Sequence, residues 1–188
     1  MKFIAEYIWI DGKNNLRSKS RTVTMKLPEK MNKNDAMKQI LSIDLYEDWS
    51  YDGNATWQTT SSDSEIILKP VTIFTDPFRK APNVLVLCET YQFDGKPTPN
   101  NTRIQATEIF NKNLDLKPWY GIEQEFYLMR SNRDNPSEKS TTPLGWPNTD
   151  TFPEKHGQYY CSIGASNAFG RKVAEHAYHL ILEAGINC

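Results

Sequence analysis

Hydrophobic and polar positions alternate along the start of the chain with the period of two that is typical of β-strands. Residues 3–10 (FIAEYIWI) predict a first strand rich in β-branched and aromatic residues, and the Asp11-Gly12 pair after it indicates a hairpin. A second strand is predicted near residues 17–27, where Pro28 would end it. The chain is therefore expected to open with a β-hairpin.

A helical spacing of apolar residues follows between positions 36 and 45, with Asn32 or Asn34 as the N-cap. Two further strands are predicted at residues 65–74 and 83–91, and Pro70 indicates a bulge or an edge. A hairpin, a helix and more strands predict a small α+β unit, for which a β-grasp arrangement is preferred.

The segment 91–103 is rich in proline, glycine and asparagine, which predicts a boundary between domains at residues 1–95 and 102–188. Beyond it the pattern predicts a short helix at 102–111, strands at 119–129 and 158–164, and a helix at 167–184 that Gly185 ends. Residues 132–157 would form a long proline-rich loop. So few strands can hardly close a core around a catalytic cleft.

The amino-acid composition limits which classes of binding partner and which cellular compartment are expected. The 188 residues carry 22 Lys and Arg against 23 Asp and Glu, so the net charge of −1 favours neither nucleic acid nor an anionic membrane. No segment approaches the roughly 20 apolar residues of a membrane span, and Glu6 interrupts the N-terminal run, so no signal peptide is expected. The three cysteines lack a CxxC pair and predict reduced thiols in a cytoplasmic protein.

Two carboxylates lie within the otherwise aromatic and aliphatic stretch PWYGIEQEFYLM, residues 118–129. In a strand, Glu123 and Glu125 would point to the same side, together with Trp119. Hard divalent cations such as Mg²⁺ or Mn²⁺ take oxygen ligands, so each glutamate could serve a different ion. From the spacing alone, the solvated face of an antiparallel strand is the favoured explanation, because Glu-x-Glu is ordinary there.

Other candidate residues indicate a chemical role less clearly. His176 and His179 are three residues apart, which misses the i, i+4 spacing of the common helical zinc pair and favours a solvated helix side. Asp52-Gly53 lies beside aromatics in a turn, and Asp76 with Arg79 suggests a rigid corner. The chain contains no GxxxxGK[ST], GxGxxG or GxSxG motif.

Several longer motifs occur in a fixed order from about residue 3 to residue 187. They are AEYIWIDG, LRSKSRT, WSYDG with Gln58, DSEIIL, DPFR, PWYGIEQEF, PLGWP, YYCSIGA, FGR and AGIN. This series resembles the glutamine synthetases of the shorter, eukaryotic-type class. The resemblance implies a β-grasp N-terminal domain followed by the first part of the family's catalytic α+β domain.

The resemblance also implies a function in glutamine biosynthesis and nitrogen metabolism. Members of the family are ATP-dependent glutamate–ammonia ligases. In their reaction, ATP phosphorylates the side-chain carboxylate of glutamate, and ammonia then displaces phosphate from the γ-glutamyl phosphate. By the match to GIEQE, Glu123 would bind the cation (Mg²⁺ or Mn²⁺) nearer the phosphates and Glu125 the one nearer glutamate. Trp119 would lie near the nucleotide. Asp52 matches the aspartate that binds ammonium and takes its proton.

Such enzymes are rings in which Asp52 would work into the active site of the neighbouring subunit. The sequence departs from the family where Asn54 and Ala55 replace two serines and Trp57 replaces a small residue. The chain also corresponds to roughly the N-terminal half, so the family's later ligands would have to come from elsewhere, and this chain alone is expected to be inactive. The alternatives are an inactive relative that binds or regulates full-length rings, and a decaying gene product.

Overall fold

A computed structural model of the chain describes residues 1–60, 62–123, 125–130, 142–145 and 159–188. These residues form two compact units. Unit 1 comprises Met1–Pro118 and Leu180–Cys188, and unit 2 comprises Trp119–His179. The domain boundary predicted within residues 91–103 stays a prediction.

Unit 1 is organised around one sheet, and helices account for the other regular elements. The strands are β1 (Lys2–Ile10), β2 (Leu16–Thr24), β3 (Trp49–Asp52), β4 (Glu65–Thr75) and β5 (Val84–Gln92). The helices are α1 (Lys33–Ile40), α2 (Arg103–Asn111) and α3 (Arg171–Glu183), the last extending from unit 2 into unit 1. The α+β class predicted from the sequence is confirmed.

The five strands are ordered β2-β1-β5-β4-β3. The first strand is parallel to β5, with Ala5 opposite Val84, and the other neighbours are antiparallel. A register shift between Pro70 and Thr72 in β4 confirms the predicted bulge, since proline cannot donate to the ladder. The first strand therefore occupies an inner position of the sheet.

The alternation in β1 explains which face of the sheet is buried. Phe3, Ala5, Tyr7 and Trp9 are all at most 4% exposed, whereas the residues between them are partly exposed. Ile40 at the end of α1 joins the same hydrophobic cluster, so the helix packs on this face. Asn32 caps α1 by accepting a hydrogen bond from the Asp35 amide at 2.9 Å, as the pattern predicted.

The corner after β4 also agrees with its prediction. Asp76 is completely buried and accepts hydrogen bonds from the backbone amides of Phe78 (2.8 Å) and Arg79 (3.0 Å). The Arg79 guanidinium donates to the same carboxylate at 2.7 Å. Burial opposes ionisation, but these hydrogen bonds lower the pKa of Asp76, so the carboxylate acts as a charged anchor of the turn.

The strands predicted at 119–129 and 158–164 are wrong over their described residues, where the structure has neither. Trp119 and Ile122 are 97% and 93% exposed, and a single isolated bridge joins Met129 to Pro143. A strand needs a partner, and among the described residues this bridge, flanked by hydrogen bonds from Arg130 to Thr142 and from Leu144 to Leu128, does not extend into a ladder.

The last predicted helix is confirmed, although α3 begins at Arg171 rather than at residue 167. Gly170 precedes it with a left-handed φ of 74°, and Gly185 follows it with a φ of 86°, as expected at a helix C-terminus. The predicted loop at 132–157 lies outside the described residues except for 142–145. In the part of the chain that is described, no helix has the length and apolar character needed to cross a membrane.

Candidate functional site

Asp52 is the last residue of β3, a strand of four residues that the sequence pattern did not predict. It lies opposite Glu65 of β4, and its exposed carboxylate accepts a hydrogen bond from the Asn54 amide at 3.0 Å. A short 3₁₀ turn, Asn54–Thr56, then reverses the chain. The carboxylate is thus presented to solvent where β3 ends and the β3–β4 connection begins.

Gly53 fixes the backbone directly after Asp52. A Cβ atom at this position would lie 2.4 Å from the Ile66 side chain, so any larger residue would force the turn away from β4. The Gly53 amide also donates to the carbonyl of Ser64 at 2.6 Å. Close packing therefore requires the glycine of the Asp-Gly pair, which the sequence indicated only as turn chemistry.

Gln58 holds the same loop from the inside and was not predicted to have this role. The side chain is 7% exposed, and its Oε1 accepts hydrogen bonds from the Tyr51 hydroxyl and from Thr56 Oγ1 (3.0 Å). Its Nε2 donates to Thr90 Oγ1 at 3.3 Å and to the Ile10 carbonyl at 3.4 Å. One amide thereby connects the Asp52 loop to β1 and β5.

The network continues beyond Gln58 into the segment after β5. The hydroxyls of Thr90 and Thr98 share a hydrogen bond of 2.6 Å, and both residues are at most 4% exposed. Thr98 donates to Asn100 at 3.1 Å, and Asn100 donates to the Asp11 carbonyl at 2.6 Å. Buried hydroxyls and amides that are all paired give one defined arrangement of the loops at this end of the sheet.

Trp57 forms the outer wall of the loop. It has a left-handed backbone (φ 57°), its side chain is 52% exposed, and the Lys13 ammonium lies 3.9 Å from its ring centroid. Its carbonyl approaches Gly12 so closely that a Cβ there would lie at 2.2 Å, while the Gly12 amide donates to Thr56 at 2.9 Å. The two loops therefore interlock at Gly12.

A cavity of about 520 Å³ lies beside this loop. Its walls include the aromatic rings of Trp57 and Phe93 and the carboxyl-bearing residues Asp63, Glu65 and Asp94. Asp52 itself is not among the lining residues. The substitution at Trp57 that departs from the family pattern thus contributes directly to the shape of this cavity.

Asp11 anchors the β1–β2 turn next to Gly12. Its fully buried carboxylate accepts hydrogen bonds from the amides of Lys13 (2.8 Å) and Asn15 (2.9 Å) and from Arg17 Nε (2.8 Å). Burial alone would raise the pKa of Asp11, but these donors outweigh it and lower the pKa to about 2. The turn is therefore held by an ionised carboxylate.

A pH dependence of stability follows from the low pKa of Asp11. Because this pKa is below its unfolded value of about 4, the stabilisation is complete above that value and is lost as the pH falls towards 2. We expect Asp11→Asn to be less stable at pH 7 and to lose less of its remaining stability between pH 5 and pH 2.5. Urea unfolding at several pH values measures this, with exposed Asp115→Asn as the control; equal slopes for Asp11→Asn and the parent chain would contradict it.

Trp119, Glu123 and Glu125 lie together in one short segment at the start of unit 2. All three residues are exposed, and residues 119–123 and 125 are not in a strand, so they do not show the strand geometry that would place the two carboxylates on one face. The carboxylate oxygens have the chemistry that Mg²⁺ and Mn²⁺ prefer. Over the described ranges, no group of three or more His, Cys, Asp or Glu residues is placed to hold a metal ion.

The remaining candidate residues are histidines and cysteines, and their positions do not indicate a catalytic or metal-binding role. His176 and His179 are both exposed on α3, in agreement with a solvated helix side. Cys88 is buried, and burial raises the pKa of its thiol to about 12, whereas Cys161 and Cys188 are exposed. The reduced state of the cysteines stays a prediction.

Sequence comparison shows which proteins the chain is similar to. The chain is 43% identical over 191 residues to "Glutamine synthetase cytosolic isozyme 1-1" from Oryza sativa subsp. japonica. It is 42% identical to "Glutamine synthetase N-1" from Phaseolus vulgaris and to "Glutamine synthetase, chloroplastic" from Zea mays. Each alignment covers 99% of this chain. The chain is a homologue of the glutamine synthetases.

The chain spans 40–47% of the length of these glutamine synthetases, which is consistent with an N-terminal half. No family model matches it. Among solved structures, one described as "GmaS/ADP complex-Conformation 1" aligns with 60% of this chain and 23% of its own, at a TM-score of 0.36 and 14% identity. So distant a likeness supports no statement about fold or ligand.

Proposed function

We propose that this chain supplies the N-terminal part of an ATP-dependent glutamate–ammonia ligase. The observation that carries the proposal is the identity of 42–43% to glutamine synthetases over 99% of the chain. The substrates would be glutamate, ammonia and ATP, with Mg²⁺ or Mn²⁺ as the cation. A cytoplasmic location is part of the proposal, although the similar proteins include both a "cytosolic isozyme" and "chloroplastic" enzymes.

Asp52 is proposed to bind ammonium and to accept its proton. Two features support this role: the carboxylate is exposed at the end of β3, and the loop that follows it is fixed by Gly53 and by the Gln58 network. A base must be held in position yet remain accessible to its substrate. An exposed carboxylate also suits the proposed ring, in which Asp52 would reach the site of a neighbouring subunit.

Glu123 and Glu125 are proposed as ligands of two different cations, which would neutralise phosphate charge and polarise the carboxylate under attack. Glu123 would serve the phosphate side and Glu125 the glutamate side. Trp119, at 97% exposure, offers a ring on which the nucleotide could stack. Two glutamates give each cation a single carboxylate, so further ligands must come from residues outside this set.

We also propose that residues 1–95 form a β-grasp domain, as the family resemblance implies. The supporting features are the N-terminal hairpin, the helix α1 on one face of the sheet, and the parallel pairing of β1 with β5 at its centre.

The proposal is tested by joining this chain to the part of the rice relative that lies outside the matched segment. We expect the fused protein to make glutamine from ATP, glutamate and ammonium, and the 188-residue chain alone to make none. Phosphate release and γ-glutamyl transfer measure both. A fused protein that assembles and binds ATP but shows no turnover would contradict the ligase function. If the isolated chain shows measurable turnover that Glu125→Ala abolishes, further cation ligands from outside this chain are not needed, which would contradict that part of the proposal.

If the fused protein is inactive, a second measurement addresses the alternative of a regulatory relative. The isolated chain is mixed with the full-length rice enzyme and separated by size. Co-elution in a larger assembly would favour a regulatory partner, and two separate peaks would exclude it.

A further inference from the structure

The outer edge of β2 is open in the described part of the chain. This strand of nine residues ends the sheet order, and the pairings among described residues join it to β1 alone. An unpaired strand of this length presents a row of backbone donors and acceptors to which another extended chain can add.

The hydrogen-bonding phase of the hairpin shows which backbone groups face outward. Met1 and Met25 exchange both possible bonds, at 2.7 and 2.9 Å, so they form a hydrogen-bonded pair. Pairs of this kind alternate along an antiparallel ladder, which directs the odd-numbered residues of β2 towards β1. The amides and carbonyls of Ser18, Ser20 and Thr22 therefore point away from the sheet.

A row of positive charge lies along the same strand. Arg17, Lys19 and Arg21 lie opposite Trp9, Tyr7 and Ala5 of β1, so their side chains emerge on the face that carries the core. In an added antiparallel strand, the residues opposite these three cations would form the close, non-hydrogen-bonded pairs, with Cα atoms about 4.5 Å apart. Side chains of opposite charge are favourable there and like charges are not.

The cations are held in fixed positions. Arg17 bonds Asp11, and the Lys19 ammonium lies 3.5 Å from the Trp49 ring centroid while donating to the Ser50 carbonyl at 2.5 Å. The Arg21 guanidinium lies 5.5 Å from the same Trp49 ring, and its distance of 3.9 Å to Glu47 makes only a weak ion pair. Little side-chain freedom remains to be lost when a partner binds.

We propose that the β2 edge accepts, by strand addition, an extended acidic peptide with Asp or Glu at every second residue. Charges on an edge strand commonly serve to prevent self-association, and a second copy of β2 would indeed bring cations opposite cations. Because Asp11 already compensates the charge of Arg17, Lys19 and Arg21 are the cations that select for a strand with alternating carboxylates. This proposal is independent of the ligase function, because it uses neither Asp52 nor Glu123 and Glu125.

The test uses a fluorescent eight-residue Thr-Glu repeat and a control peptide of the same composition with all glutamates in one block. Anisotropy should show at least about tenfold tighter binding of the alternating peptide. NMR hydrogen exchange should show new protection at the amides of Ser18, Ser20 and Thr22. The amides of Lys19 and Arg21 bond β1 already and should change little.

Two variants separate strand addition from charge attraction. Ser20→Pro removes an outward amide but no bond to β1, and should weaken binding at least about tenfold, whereas Ser20→Ala should bind as the parent chain. Thr22→Pro replaces Ser20→Pro if circular dichroism shows that the latter is unfolded. Equal affinity for both peptides, unchanged binding by a folded proline variant, no binding at about 1 mM, or uniform amide protection would each overturn the proposal.

Discussion

In the fused enzyme, Glu125→Ala is expected to lower the rate of glutamine synthesis by at least about 100-fold, since changes even in the outer shell of a metal site cost about 10–100-fold. A carboxylate is the ligand that a hard cation needs, and alanine leaves only water in its place. Glu123→Ala should cost a similar factor. Steady-state rates over a range of Mg²⁺ and Mn²⁺ concentrations measure both variants.

The two variants should differ in which substrate they affect. The proposed positions predict that Glu123→Ala raises the KM for ATP and that Glu125→Ala raises the KM for glutamate. Asp115→Ala, which removes an exposed carboxylate in unit 1, is the control and should leave both constants unchanged. If Glu123→Ala and Glu125→Ala retain the parent rate at low metal concentration, these residues are not cation ligands.

Replacing Gln58 with leucine is expected to lower the free energy of unfolding by about 1–3 kcal/mol, because the partly buried Tyr51 hydroxyl loses its acceptor. The Thr90 hydroxyl loses a donor as well, whereas the Thr56 hydroxyl keeps the Gly53 carbonyl as an acceptor at 3.2 Å. Leucine has nearly the volume of glutamine, so the effect arises from unpaired polar groups rather than from a cavity. Urea denaturation followed by tryptophan fluorescence measures the change.

The same substitution should also weaken the use of ammonium in the fused enzyme, because Gln58 positions the loop that carries Asp52. We expect the KM for ammonium to rise while the KM for ATP stays unchanged. Thr60→Ala, at an exposed position just beyond Gln58, is the control and should change neither stability nor kinetics. A Gln58→Leu variant of parental stability would show that water or rearrangement satisfies the freed hydroxyls.

In unit 1, the local sequence pattern was sufficient to predict a helix or strand wherever one face of that element is buried. The alternation in β1 and the capped spacing of α1 follow from burial against a single core, and both elements formed as predicted. The four residues of β3 carry too few alternations to be recognised and are fixed by pairing with β4. Such a strand depends on its neighbour more than on its own sequence.

The region around Glu123 demonstrates the opposite case. Its aromatic and aliphatic residues are typical of a strand, yet most are strongly exposed, and the pattern cannot specify the partner that a strand requires. The hydrogen bonds that position the Asp52 loop could not be predicted from the sequence either. They are made by Gln58, and its partners are distributed along the chain at Ile10, Tyr51, Thr56 and Thr90. Family motifs identified the candidate residues, while the contacts that hold them depend on tertiary structure.

The parallel pairing of β1 with β5 has a consequence for synthesis of the chain. Residues 5–8 pair with residues 84–87, so almost 80 further residues must be synthesised before the inner edge of β1 can pair with β5. Closing so long a loop is slow compared with forming the β1–β2 hairpin. During translation, the hairpin therefore exposes an apolar face and an unpaired edge, a state in which chaperone capture or aggregation competes with completion of the sheet.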